Sequence, residues 1–190
     1  MNDYLTFNEF LEFNKIVESV TYENGSMFVT FKEELFEDVS ALDLYRGVDS
    51  KTKTRQKPIK YDLEAVSDDG VATFKTTSGT KRDGNFHYTQ KIRFKGWDEN
   101  MADKGSLLDK VKLILHDGVD VTCDCPAFQY YGSAYITTQL DAKFGEDENR
   151  APVIRNPDEK GTVCKHLSRI LKDFAILPPK IVKQIKKNKK

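Results

Sequence analysis

This chain of 190 residues has only three cysteines and three histidines, and four of these six residues fall into two short words. The first is Cys123-Asp124-Cys125-Pro126-Ala127-Phe128 and the second is Cys164-Lys165-His166-Leu167. Cysteines scattered by chance rarely arrange themselves as C-x-C followed by C-x-H. Three thiolates and one imidazole are the donor set that closes a tetrahedral structural zinc site. Two other readings stand beside that one. A buried cysteine is often a small hydrophobe, and paired cysteines can be redox-active. The redox C-x-x-C spacing is absent, and C-x-C is a poor geometry for a relaxed disulfide. An odd cysteine count also does not fit a secreted disulfide framework. The expected metal ligands are therefore Cys123, Cys125, Cys164 and His166, with the ion pinning the long segment 126–163.

The elements that must carry these ligands are legible around them. Val111 to Leu115 and Val119 to Thr122 read as two β-branched runs around Asp117-Gly118, a dipeptide that favours a tight hairpin. The first cysteine pair then leaves the end of a hairpin strand, and Pro126 ends further ladder pairing. Leu167, Ile170, Leu171 and Phe174 recur at helical spacing, so Cys164 and His166 lie where a helix begins. Two ligands from a hairpin end and two from a helix start predict a compact ββα module.

The pattern resembles the SWIM-type zinc finger, in which C-x-C and C-x-H pairs sit on a ββα unit. The resemblance covers roughly residues 111–174. It extends to the Cys125-Pro126-Ala127-Phe128 continuation and the Cys164-Lys165-His166-Leu167 block. It implies zinc on Cys123, Cys125, Cys164 and His166, and partners that are nucleic acid or protein. The spacer is longer than such fingers use, which implies an inserted subdomain over 129–160. Arg155-Asn156-Pro157, with that insert, also resembles SWIM-like proteins of tailed bacteriophages. That likeness implies a virion component, assembled in the host cytoplasm.

The rest of the chain predicts an α+β fold. Thr6-Phe7-Asn8-Glu9 is a capping-box pattern, and Phe7, Phe10, Leu11 and Val17 mark one face of a helix over 6–17. Phe13 projects further round and is the candidate exposed contact. Asn24-Gly25 signals a hairpin before the strand Met27–Phe31. Residues 40–48 read as a short helix stopped by Gly47. Lys51 to Lys57 is a basic, hydroxyl-rich loop ending at Pro58, able to touch phosphate. From Ile59 to Trp97 the alternation is that of an antiparallel meander, turning at Asp68-Asp69-Gly70 and through a wider loop over 79–85. Phe86, Tyr88, Gln90, Ile92 and Phe94 share one face of its last strand. His87 faces the other way, and both it and His116 read as ordinary surface histidines. Trp97 to Gly105 is turn-rich and marks a boundary. The expected organisation is a sheet domain over 1–104, a zinc module over 105–177 and a basic tail over 178–190. Within the insert, Ser133 caps a helix carrying Ile136, Leu140 and Phe144 inward to Gly145. Phe128, Tyr130, Tyr131 and Tyr135 pack over the metal.

Composition narrows the function. Lys+Arg and Asp+Glu are both 30, so the chain lacks the overall basic excess of a dedicated nucleic-acid domain. Local excesses remain at Lys51–Lys57 and at the six C-terminal lysines 180, 183, 186, 187, 189 and 190. No apolar run is long enough to span a bilayer, the amino terminus lacks a signal-peptide pattern, and thiolate ligands suit a reducing, cytoplasmic setting. No G-x-x-x-x-G-K-[ST], H-E-x-x-H or G-x-S-x-G motif is present. The expectation is a non-catalytic, zinc-stabilised structural or assembly protein that contacts other proteins. The alternative is a nucleic-acid-binding protein using the zinc module and the basic segments.

Overall fold

The computed structural model describes residues 17–23, 26–31, 38–82 and 85–188. The chain divides into two compact units, Met1–Glu37 and Asp38–Lys190. In the first, β1 (Val17–Glu23) and β2 (Ser26–Phe31) pair antiparallel, with Glu23 opposite Ser26. That register is the one expected across Asn24-Gly25. The helix expected over 6–17, with Phe7, Phe10 and Phe13, lies outside the described residues, except that Val17 begins β1.

The second unit opens with two short helices. In α1 (Ala41–Arg46), Ser40 caps the start by accepting from the Asp43 N–H, and Gly47 ends the helix as expected. Ala41 and Leu44 are its buried residues. The Lys51–Lys57 stretch is not a loop. Asp49 accepts the Thr52 N–H at 2.9 Å and caps α2 (Ser50–Arg55), which buries nothing of its own. Gln56 then turns inward, donating to the Tyr45 hydroxyl and accepting from Ser168 at 2.7 Å. The cap and this inward anchor are what order a segment whose charges suggested a solvated loop.

The meander is β3 (Tyr61–Val66), β4 (Val71–Arg82) and β5 (Asn85–Phe94). All pairings are antiparallel, and β6 (Val119–Cys123) is the fourth strand, in the order β3-β4-β5-β6. The fold class is α+β. Gly70, at φ +77°, turns β3 into β4; a Cβ there would lie 2.4 Å from Trp97 Cγ, so the residue must be glycine both for its φ and for space. The wide loop expected over 79–85 is narrower, because β4 and β5 pair as far as Arg82 opposite Asn85, across an irregularity after Thr77.

Two expectations about the middle of the chain change. The stretch from Trp97 is not a boundary loop but α3 (Trp97–Ala102), whose Trp97 ring stacks on Phe94 at 5.9 Å and donates to the Asp68 carbonyl. Residues 111–114 are not a strand but the end of α4 (Leu107–Ile114), which Ser106 caps at its start and Leu115 at its end. Val111 and Ile114 lie three apart and are both buried, and helical spacing with a good cap outweighs the β preference of their side chains. There is thus no hairpin at Asp117-Gly118. β6 pairs instead with β5, so the sheet runs through the boundary expected at 104–105.

After β6 come α5 (Pro126–Tyr130), α6 (Ser133–Gln139) and α7 (Lys165–Lys172), then a 3₁₀ turn (Phe174–Ile176) and α8 (Pro178–Asn188). Gly132, at φ +94°, rather than Ser133, caps α6. This helix buries Ser133, Ala134 and Thr137 and ends before Asp141, not at Gly145. Ile136, Leu140 and Phe144 are only half-buried. The chain then runs beside β6, with Val121 N–H on the Ala142 carbonyl and Phe144 N–H on the Val121 carbonyl. The lysine-rich end is helical as far as Asn188. Proline suits the first turn of a helix, and Ile181 and Ile185 turn inward. Gln184 and Asn188 donate to the Glu64 and Val66 carbonyls of the edge strand β3, which tames an edge that would otherwise invite pairing. The core of this unit gathers Phe74, Ile92, Phe94, Ile114, Leu167, Ile170, Leu177 and Ile181.

Candidate metal centre

Cys123 is the last residue of β6 and sits opposite Gln90 of β5. The next residue folds back on that strand. Asp124 N–H donates to the Thr89 carbonyl at 3.1 Å, and its carboxylate accepts the Thr89 N–H at 2.9 Å. This two-way clamp turns the chain so that Cys125 faces the same interior as Cys123. Cys125 is the N-cap of α5, with Pro126 in the first turn, and its carbonyl accepts from Phe128 and Gln129. Cys164 is likewise the N-cap of α7, and its carbonyl accepts from Ser168 at 2.9 Å. His166 lies in the first turn of that helix, facing inward with Leu167 and Ile170. The ligands thus come from a strand end and two helix starts, and the positive end of a helix favours an anionic sulfur.

The three sulfurs and a ring nitrogen all lie within 4.8 Å of one another. A tetrahedral ion with sulfur ligands at about 2.3 Å holds neighbouring sulfurs about 3.8 Å apart. The four residues can hold a metal ion after a small contraction. All are buried; Cys164, the most exposed, retains 4% of its surface. None is in a disulfide. Burial pushes the Cys123 and Cys164 thiols up, whereas hydrogen bonds from those two thiols hold Cys125 well below the ordinary thiol range. Three thiolates crowded together repel, and a divalent cation is the charge that lets all three ionise. His166 points the same way: Nδ1 stands 4.0 Å from Cys164 Sγ and Nε2 is buried with no hydrogen-bond partner. Nδ1 is the nitrogen that faces a sulfur, and a neutral imidazole ligating through it carries its hydrogen on Nε2.

The side chains that touch the four candidate ligands are not evident from the C-x-C and C-x-H words. Tyr88 lies against the His166 ring, centroids 4.8 Å apart, and Gln90 donates to Cys123 Sγ at 3.4 Å. The alternation of β5 had placed both residues on the inward face, and a glutamine among apolar neighbours was the readable signal. Of the aromatic residues expected to pack over the site, Tyr135 is half-buried and two others lie at the surface. Phe128 is buried, but Tyr130 is 71% exposed, and Tyr131 lies at the surface beneath Arg155. His87 and His116 are exposed, as expected. Of the basic stretch, Lys53 leans over Tyr45 and Lys57 is exposed. Lys180, Lys183, Lys186 and Lys187 line the outer side of α8.

Compared with family models, curated proteins and solved structures, the chain has no match. No described helix is long and apolar enough to cross a membrane.

Proposed function

We propose that this is a non-catalytic protein in which a structural zinc ion shapes a surface for contacts with other proteins in a larger assembly. The observation that carries the reading is the closed donor set: Cys123, Cys125, Cys164 and His166 are all buried and mutually in reach. Three sulfurs and an imidazole suit zinc among the divalent ions. Four protein ligands leave no coordination position for substrate, so zinc here orders the chain rather than reacting. The likeness to SWIM-type fingers agrees with this role, and a phage virion is the assembly that the insert's likeness suggests. The insert supports contact-making too: Val153 and Ile154 are 81% and 87% exposed, adjacent apolar side chains that burial between chains would stabilise. The test is to separate assembled particles from free protein in a producing lysate. Wild type should travel with particles, and Val153→Asp/Ile154→Asp should remain free while keeping its zinc. Wild type found only as free protein rules the assembly role out.

A second reading, binding of nucleic acid, is supported by α8. Its Ile181 and Ile185 are taken up in the core while Lys180, Lys183, Lys186 and Lys187 remain exposed. They flank a groove of about 870 Å³ that also includes Asp62 and Gln184. Such a row can neutralise phosphates, and its binding would weaken steeply with salt. Lys183→Glu/Lys186→Glu should reduce both affinity and salt slope on single- and double-stranded oligonucleotides. Absence of wild-type binding at low salt excludes this reading.

A further inference from the structure

Gln90 is a buried amide, with its residue 0% exposed, on a strand face otherwise occupied by Tyr88, Ile92 and Phe94. Its Nε2 has two partners: Thr76 Oγ1 at 2.9 Å and Cys123 Sγ at 3.4 Å. Its Oε1 is buried with none. The orientation of the amide follows from its neighbours. The Thr76 hydroxyl spends its hydrogen on the Tyr88 carbonyl, so only a lone pair is left for Gln90. A nitrogen must therefore face Thr76, and its second N–H is directed at sulfur. An arrangement that satisfies both donors and abandons the acceptor makes sense when the sulfur is anionic, because charge-assisted hydrogen bonds are the strong ones. A neutral thiol would give little in return.

We propose that Gln90 is a positioning residue for the metal centre: its amide, held by Thr76, donates to the Cys123 thiolate and fixes that ligand's direction. This rests on the zinc reading above. The three residues come from adjacent strands, with Gln90 directly opposite Cys123 on β6 and Thr76 opposite Tyr88 on β4. The sheet, rather than the ligand loops, thereby sets where the first sulfur stands. Groups that hydrogen-bond to ligands usually alter metal affinity by about 10–100-fold when removed. The N–H donor also lowers the energy of the sulfur lone pair, which a thiolate-to-metal charge-transfer band reads directly.

The experiment uses the full chain loaded with zinc or with cobalt(II). Zinc content is measured first; affinity is then obtained by competition with a chelator, and the cobalt form is recorded by absorption spectroscopy. Gln90→Met keeps length and removes both donors. It should bind zinc about 10–100-fold more weakly and shift the charge-transfer band to lower energy. Thr76→Val, which only releases the amide, should move both in the same direction by less, and it serves if Gln90→Met does not fold. Unchanged affinity and band position in the folded variants overturn the proposal and leave the zinc reading standing. Wild-type protein without zinc overturns the zinc reading, and the proposal with it.

Discussion

The inward face of β5 is one continuous row, yet its two halves are stabilised in different ways. Ile92 and Phe94 belong to one core cluster with Val111, Ile114, Trp97 and Phe174, stabilised chiefly by being out of water. Tyr88 and Gln90, four and two residues before Ile92, face thiols, an imidazole and a threonine hydroxyl. Apart from the Trp97 indole, which donates to the Asp68 carbonyl, the apolar half needs shape rather than particular partner atoms. The polar half crowds three sulfurs together and leaves His166 Nε2 and Gln90 Oε1 unpaired; on the proposed zinc reading, an ion balances the sulfurs. A buried polar group costs free energy when incompletely satisfied. The lesson is that one strand can be ordered by packing at one end and by coordination at the other, and the two ends should fail independently.

The largest effect should come from breaking the coordination end. Cys164→Ser, or removal of the proposed zinc by a chelator, should cost a large part of the metal-linked stability, which is on the order of 10 kcal/mol for structural zinc. Thermal unfolding with and without chelator checks this, and the loss should be greatest for the segment 124–164 by hydrogen exchange. A chelator-insensitive melting curve would contradict the dependence on an ion.

Breaking the apolar end should be smaller and separable. Phe94→Ala removes a fully packed ring that touches Trp97 and Phe174, at a cost of about 3–5 kcal/mol. Denaturant unfolding gives the loss, while zinc content should stay at the wild-type value. Zinc lost in proportion to stability would show that the two halves are one unit.

Smaller still is Asp124→Ala, which removes the carboxylate that accepts the Thr89 N–H. A loss of about 1–3 kcal/mol is expected from that hydrogen bond. It should also speed zinc transfer to a chelator, because the clamp aims Cys125. Normal transfer with reduced stability would limit Asp124 to a role in the turn.

The smallest effect lies outside both halves. Burial, followed by the nearby Asp173 carboxylate, pushes the Tyr61 hydroxyl up to about 12. An unfolded tyrosine ionises near 10, so this group's stabilisation is complete below pH 10 and fades as the pH rises towards 12. Tyr61→Phe should cost under about 1 kcal/mol at neutral pH and flatten that part of a stability–pH curve. An unaltered alkaline limb would exclude Tyr61 as its source.

The donor set could be read from the sequence because ligand chemistry is local: C-x-C and C-x-H carry their own spacing, and no fold is needed to see that these residues suit zinc. The short helix ending at Gly47, the meander and the inward row of β5 were legible for the same reason, since caps, turns and alternation act over a few residues. What surrounds the ligands was not. Val111 and Ile114 fit a strand by side-chain type and a helix by spacing, and only the Ser106 cap together with packing against the core decides between them. The pairing of β6 with β5, which brings Gln90 to Cys123, joins residues far apart in the chain and depends on which strand edge is free. The lysine-rich end becomes a helix because two isoleucines find the core and two amides find the carbonyls of β3. Local pattern thus determined which residues could hold an ion. Burial and strand pairing across long separations decided which neighbours shape that site, because both depend on the whole chain being in place.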